Sequence, residues 1–114
     1  MKVAARAIII HDRKILLVRH KHRDFYALPG GKLNDNEDIR CAMRRELYEE
    51  LGVEAKVGNL LFVHEFRYPE GTLSLEFFFW ITNAADFVGK ELNGEFADAE
   101  LAEIGWYEVQ KPLN

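Results

Sequence analysis

Three glutamates, Glu46, Glu49 and Glu50, fall in one short segment whose apolar residues recur at helical spacing. On a helical wheel Ile39, Ala42, Met43 and Leu47 form one apolar stripe. Glu46 and Glu50 fall inside that stripe and Glu49 lies at its edge. An amphipathic helix ordinarily turns such carboxylates to solvent. Here they share an arc of roughly 100°, stacked at i, i+3 and i+4. Like charges repel at that spacing, and the apolar surroundings add a desolvation cost. A cation is the expected partner. Magnesium suits the site, because it prefers hard oxygen ligands and retains waters that a substrate phosphate replaces. Taken alone, the helix also admits a rotation that leaves the three glutamates as a solvated acidic edge.

The elements that must position this helix lie on either side of it. Residues 3–10 are apolar and β-branched and read as a strand, and His11, Asp12 and Arg13 turn the chain into a second strand over 14–19. Leu28-Pro29-Gly30-Gly31 is a turn signal, with proline fixing one torsion and the glycines permitting positive ones. Asp38 is placed to cap the helix Ile39–Leu51 and Gly52 to end it in the left-handed conformation. Further strands are expected over 54–57, 60–67 and 72–82, with Tyr68-Pro69-Glu70-Gly71 as a hairpin turn. Residues 83–103 carry only weak signals, and a last strand is expected over 105–109, around Trp106 and Tyr107. One helix among hairpin-connected strands predicts an α+β fold with a mixed sheet. No linker, repeat or low-complexity tract interrupts residues 1–114, so a single domain is expected.

Residues 31–53 resemble the Nudix box. Gly31 is followed after five residues by Glu37, and after seven more by Arg45-Glu46-Leu47-Tyr48-Glu49-Glu50-Leu51-Gly52-Val53, so every fixed and both aliphatic positions are filled. Chance would produce such a match on the order of once in a million chains or less. Leu28-Pro29-Gly30 before the box and Trp106 in a late strand also sit where that family usually has them. The resemblance implies an α/β/α sandwich around a mixed β-sheet and hydrolysis of a nucleoside diphosphate linked to another moiety. It casts Glu46, Glu49 and Glu50 as ligands of Mg2+, or of Mn2+, with the Gly31 carbonyl as a further ligand. Arg45 resembles the arginine that orients a catalytic glutamate, and Glu37 the residue that braces the junction of loop and helix. A plain salt bridge between Arg45 and Glu37 is compatible with that role.

In such chemistry metal ions neutralise the diphosphate oxygens and acidify a water, and a carboxylate takes the water's proton as it attacks phosphorus in line. Glu46 or Glu49 is a candidate base. The family often uses a glutamate outside the box, and here Glu76, Glu95, Glu100 and Glu103 are candidates; Glu100 and Glu103 rank first because they stand shortly before Trp106. Arg19 lies where the family often has a phosphate-contacting arginine, a surface arginine being the alternative. Over 72–82, alternation puts Leu73, Leu75, Phe77, Phe79 and Ile81 on one face and Glu76, Phe78 and Trp80 on the other. That second face either stacks a base through Phe78 and Trp80 or forms a second buried layer. A nucleoside triphosphate is the favoured substrate on grounds of small size, with a nucleotide sugar such as ADP-ribose, or a dinucleoside polyphosphate, as alternatives. The family's branch marker beyond the box is a Tyr or a Pro, and Tyr68 and Pro69 match both, so it does not choose. A nucleotide-sensing module without catalysis would be expected to show a damaged box, whereas every carboxylate is present.

Composition narrows the partners. A net charge of −4 argues against a nucleic-acid partner. The stretch holding Arg13, Lys14, Arg19, Lys21 and Arg23 is either a solvated loop or an attractor for a small polyanion. His11, His20, His22 and His64 lack metal-ligand spacing, and the single Cys41 excludes an internal disulfide. No apolar run approaches membrane-spanning length, and Arg6, His11 and Asp12 interrupt any signal-like N-terminus. A cytoplasmic protein with no membrane partner is expected. Family members usually carry a helix after the strand containing Trp106, whereas this chain stops at Asn114. A second copy in a homodimer, or residues 83–103, is expected to cover the face so exposed.

Overall fold

A computed structural model of the chain describes residues 1–92 and 101–109. In chain order the elements are β1 (Lys2–Ile8), β2 (Ile10–His11), β3 (Lys14–His20), β4 (Gly30–Lys32), α1 (Ile39–Leu51), β5 (Val57–Arg67), β6 (Leu73–Ile81) and β7 (Leu101–Glu108). A short 3-10 helix, Ala84–Phe87, lies between the last two strands. The strands form two sheets, in the orders β4-β1-β6-β5 and β2-β3-β7. The first is mixed. β1 runs parallel to β6, from Lys2 opposite Ser74 to Ile8 opposite Trp80, and antiparallel to β4. The chain thus adopts the α+β class with a mixed sheet that its pattern predicts.

Local chemistry explains the punctuation. The β2–β3 hairpin turns through Asp12 and Arg13, whose φ angles of 51° and 64° suit the right-handed twist of the flanking strands. α1 begins where the Asp38 side chain accepts the Cys41 N–H at 2.8 Å. It ends at Gly52, φ 70°, whose N–H donates to the Tyr48 carbonyl. Met43, Leu47 and Leu51 of α1 are buried with Ala5, Ala7, Phe79 and Ile81 of the first sheet. The two alanines leave room for the helix, and burial of Met43 and Leu47 contributes on the order of 2 kcal/mol each.

Three elements differ from expectation. Residues 54–57 form no strand of their own. The Asn83 side chain takes a strand's place there, accepting from Lys56 N–H at 2.8 Å and donating to the Glu54 carbonyl at 3.0 Å. Gly30 and Gly31, read as turn residues, belong to β4. β7 starts earlier than the Trp106 signal suggested, at Leu101, because Val18 and Leu101 are buried together. The candidate residues Glu95 and Glu100 lie outside the described residues.

Candidate active site

The short strand β4 brings the backbone of two glycines against the acidic face of α1. Gly30 has φ 141°, and a Cβ there would overlap the carbonyl oxygen of Ala5 on β1. Its N–H donates to Glu50 Oε1 at 2.9 Å. A Cβ on Gly31 would lie 2.5–2.6 Å from the Glu46 carboxyl group, so only a hydrogen fits between that backbone and the carboxylate. Glu50 is 6% exposed, inside the apolar stripe as the helical period requires. An ionised side chain is seldom so deeply covered without a dedicated partner.

Arg45 organises the remaining carboxylates. Its Nε and Nη2 grip both oxygens of Glu37, at 2.8 and 3.0 Å, and Nη2 also donates to the Lys32 carbonyl at 3.0 Å. Its Nη1 is shared by Glu46 Oε1 at 2.9 Å and Glu49 Oε2 at 3.2 Å. The fork therefore ties β4, the loop before α1 and the helix together, in the bidentate manner that suits a guanidinium. The hydrogen bonds that Arg45 donates to Glu37 are the main reason that the Arg45 guanidinium is held above its ordinary pKa. The same bond holds the Glu37 carboxyl below the usual carboxylate range, against some desolvation. Three carboxyl groups meet one guanidinium in this corner and Glu50 lies on the Gly30 N–H beside them, so it remains rich in negative charge and hard oxygen donors. Among the described residues no three acidic, His or Cys groups already converge at metal-ligand spacing, since Arg45 stands between Glu46 and Glu49.

On the other face of the first sheet lies a hollow of about 590 Å³. Arg6, Glu76 and Phe78 line it from the sheet, Phe66 and Tyr68 from the β5 end, His20 from the end of β3, and Lys21, His22 and Arg23 from the loop after it. Phe78 stacks on Phe62 with ring centroids 4.4 Å apart. Trp80, two residues along, is 36% exposed on the same face but does not line the hollow. This face is accordingly open over Phe78 and Trp80 among the described residues, rather than a second buried layer.

The remaining candidates stand elsewhere. Arg19 pairs with Glu103 at 2.9 Å across the β3–β7 ladder and donates to the Arg23 carbonyl. Glu103 also accepts from the Tyr26 hydroxyl at 2.8 Å. That hydroxyl, and then Arg19, hold the Glu103 carboxyl below the usual range, which makes it a weak proton acceptor. None of its partners belongs to the box. Arg6 escaped the reading of the sequence, although a signal was present: a charge set alone among apolar residues in a strand, as Glu76 is in β6.

Comparison with known proteins gives the chain a family. A family model described as NUDIX domain matches residues 1–114. The chain is similar to an ADP-ribose pyrophosphatase of Methanocaldococcus jannaschii, 38% identical over 108 residues, covering 90% of this chain and 60% of that protein. It is also similar to an 8-oxo-dGTP diphosphatase of Buchnera aphidicola, 34% identical over 71 residues, covering 61% of this chain and 57% of the relative. The chain thus spans less than two thirds of the length of these curated relatives. Among solved structures it resembles a MutT NUDIX hydrolase from Burkholderia pseudomallei, with a TM-score of 0.79, 26% identity, and coverage of 99% of this chain and 89% of the other.

Proposed function

The chain belongs to the NUDIX domain family, and on that premise we propose that it hydrolyses a diphosphate linkage in a small nucleotide, a nucleoside triphosphate first, with magnesium in the cytoplasm. The observation that carries the proposal is the contact of Gly31 with the Glu46 carboxylate beside the buried Glu50. A side-chain-free backbone pressed against carboxylates assembles hard oxygen donors and little else, the donor set that magnesium prefers. Glu46, Glu49, Glu50 and the Gly31 carbonyl would hold the ion. When bound there, magnesium neutralises diphosphate oxygens and acidifies the attacking water.

The protein's own groups supply the rest. Water adds to one phosphorus, the bridging P–O bond breaks and two phosphate products separate. The water's proton passes to a box carboxylate, for which Glu49 is better suited than Glu46, its side chain being 36% exposed against 15%. Arg45 Nη1 touches both and orients whichever accepts the proton. Glu103, engaged by Tyr26 and Arg19, is a poorer base, and Arg19 is occupied in holding it. Phe78 supplies an aromatic wall for the base, with Trp80 beside it on the open face. The names of the two relatives span two substrate branches, a nucleoside triphosphate and a nucleotide sugar. A panel of nucleoside triphosphates, ADP-ribose and dinucleoside polyphosphates, with products identified, tests the assignment. The expected result is nucleoside monophosphate and pyrophosphate from a triphosphate. Binding without cleavage across the panel would replace the enzyme reading with a nucleotide-sensing module.

A further inference from the structure

The hydrolysis reading leaves one polar pair in the hollow without a role. Arg6 Nε donates to Glu76 Oε2 at 3.1 Å, and Arg6 Nη1 reaches the Leu28 carbonyl at 3.5 Å. The two side chains are only 19% and 17% exposed. Among the described residues, neither Glu76 Oε1 nor Arg6 Nη2 makes a hydrogen bond. An ion pair so far withdrawn from water adds little stability over an apolar pair of the same shape. The walls beside it are aromatic: Phe78 is backed by Phe62, and Phe66 meets Tyr68 edge-on at 4.8 Å. Flat apolar walls around a charged acceptor and a charged donor suit a planar heterocycle with a polar edge.

We propose that the Arg6–Glu76 pair reads the base edge of the nucleotide, and that the preferred base carries two adjacent N–H donors beside a carbonyl, as guanine does. The inference rests on the reading of this protein as a nucleotide hydrolase. An ionised carboxylate only accepts hydrogen bonds and a guanidinium only donates them. Guanine offers N1–H and N2–H to the carboxylate and O6 to the guanidinium. Adenine and cytosine set an acceptor nitrogen beside their single amino group, and uracil flanks its one N–H with carbonyls, so each turns a lone pair toward Glu76. The position also fits. Arg6 is the ladder partner of Gly30, whose N–H holds Glu50, so the Arg6 backbone lies one strand spacing, about 4.8 Å, from the strand that touches the box carboxylates, while the pair itself projects into the hollow on the other face.

Equilibrium binding of GMP, IMP and AMP, followed by tryptophan fluorescence without metal, tests this independently of cleavage, because monophosphates have no diphosphate to break. GMP should bind about tenfold tighter or more than AMP, and also tighter than IMP, which lacks the 2-amino donor. Glu76→Gln should abolish the preference while leaving the melting temperature close to that of the parent. Equal binding of GMP and IMP by the unmodified protein, no measurable GMP binding, or a preference that survives in Glu76→Gln would overturn the proposal. The IMP comparison needs no variant and decides the question even if Glu76→Gln fails to fold. A protein that prefers GMP but cleaves no diphosphate would count against the hydrolysis reading alone.

Discussion

Two neighbouring glycines do different work, and substitution separates them. A methyl group on Gly30 meets backbone, the Ala5 carbonyl, at a φ of 141° that side chains avoid. Gly30→Ala should therefore cost about 2 kcal/mol or more of folding stability, seen as a clear fall in the denaturation midpoint. A methyl group on Gly31 meets only the far end of the flexible Glu46 side chain. Gly31→Ala should melt close to the parent yet lose about tenfold or more of its turnover, because a carboxylate displaced by about 1 Å no longer serves its ligand. Equal effects of both substitutions on stability would contradict this division. The burial of Glu50 was legible from the helical period, and the grip of Arg45 on Glu37 from the box spacing. The Arg6–Glu76 contact was not, since it spans 70 positions and depends on the parallel register of β1 with β6.

α1 was readable to its last residue because its signals are local: a capping side chain, an apolar period and a glycine at the end. The cap also titrates. The Cys41 N–H donating to Asp38 holds that carboxyl below its usual range. A carboxyl depressed in the folded state contributes stability above its unfolded pKa, and that contribution is lost as pH falls through the folded value. Asp38→Asn keeps a capping oxygen without the titration. Its stability should thus decline less steeply than the parent's below about pH 4, measured as the difference between two denaturation series. Identical acid limbs would contradict the cap's role. β4 was missed because a three-residue strand with two glycines has no side-chain alternation to detect, and its pairing with β1 alone defines it. The strand expected over 54–57 failed for the complementary reason. Its residues look extended, but Glu54 and Lys56 are bonded by the Asn83 side chain and by Thr82, distant in sequence, and only Val57 joins β5.

At the scale of the whole molecule, β5 stands at the edge of its sheet with Leu60, Leu61, Phe62 and Val63 all 43–51% exposed. A long apolar edge strand is a template for further pairing. A second copy is its proposed cover, which places the contact on β5. Light scattering at micromolar concentration should give a mass near twice 13.2 kDa, whereas a mass of 13.2 kDa across a tenfold dilution would reject the pairing. Among the described residues no helix is long and apolar enough to cross a membrane. The account turns most directly on the buried carboxylate at the centre of the box. Glu50→Gln preserves shape and an acceptor for the Gly30 N–H while removing a charge. Its magnesium-dependent cleavage of a nucleoside triphosphate should fall by about two orders of magnitude, roughly 3 kcal/mol of barrier. The metal-free fold should be retained or even stabilised as repulsion among the glutamates is relieved. Turnover close to that of the parent at saturating magnesium would contradict the account.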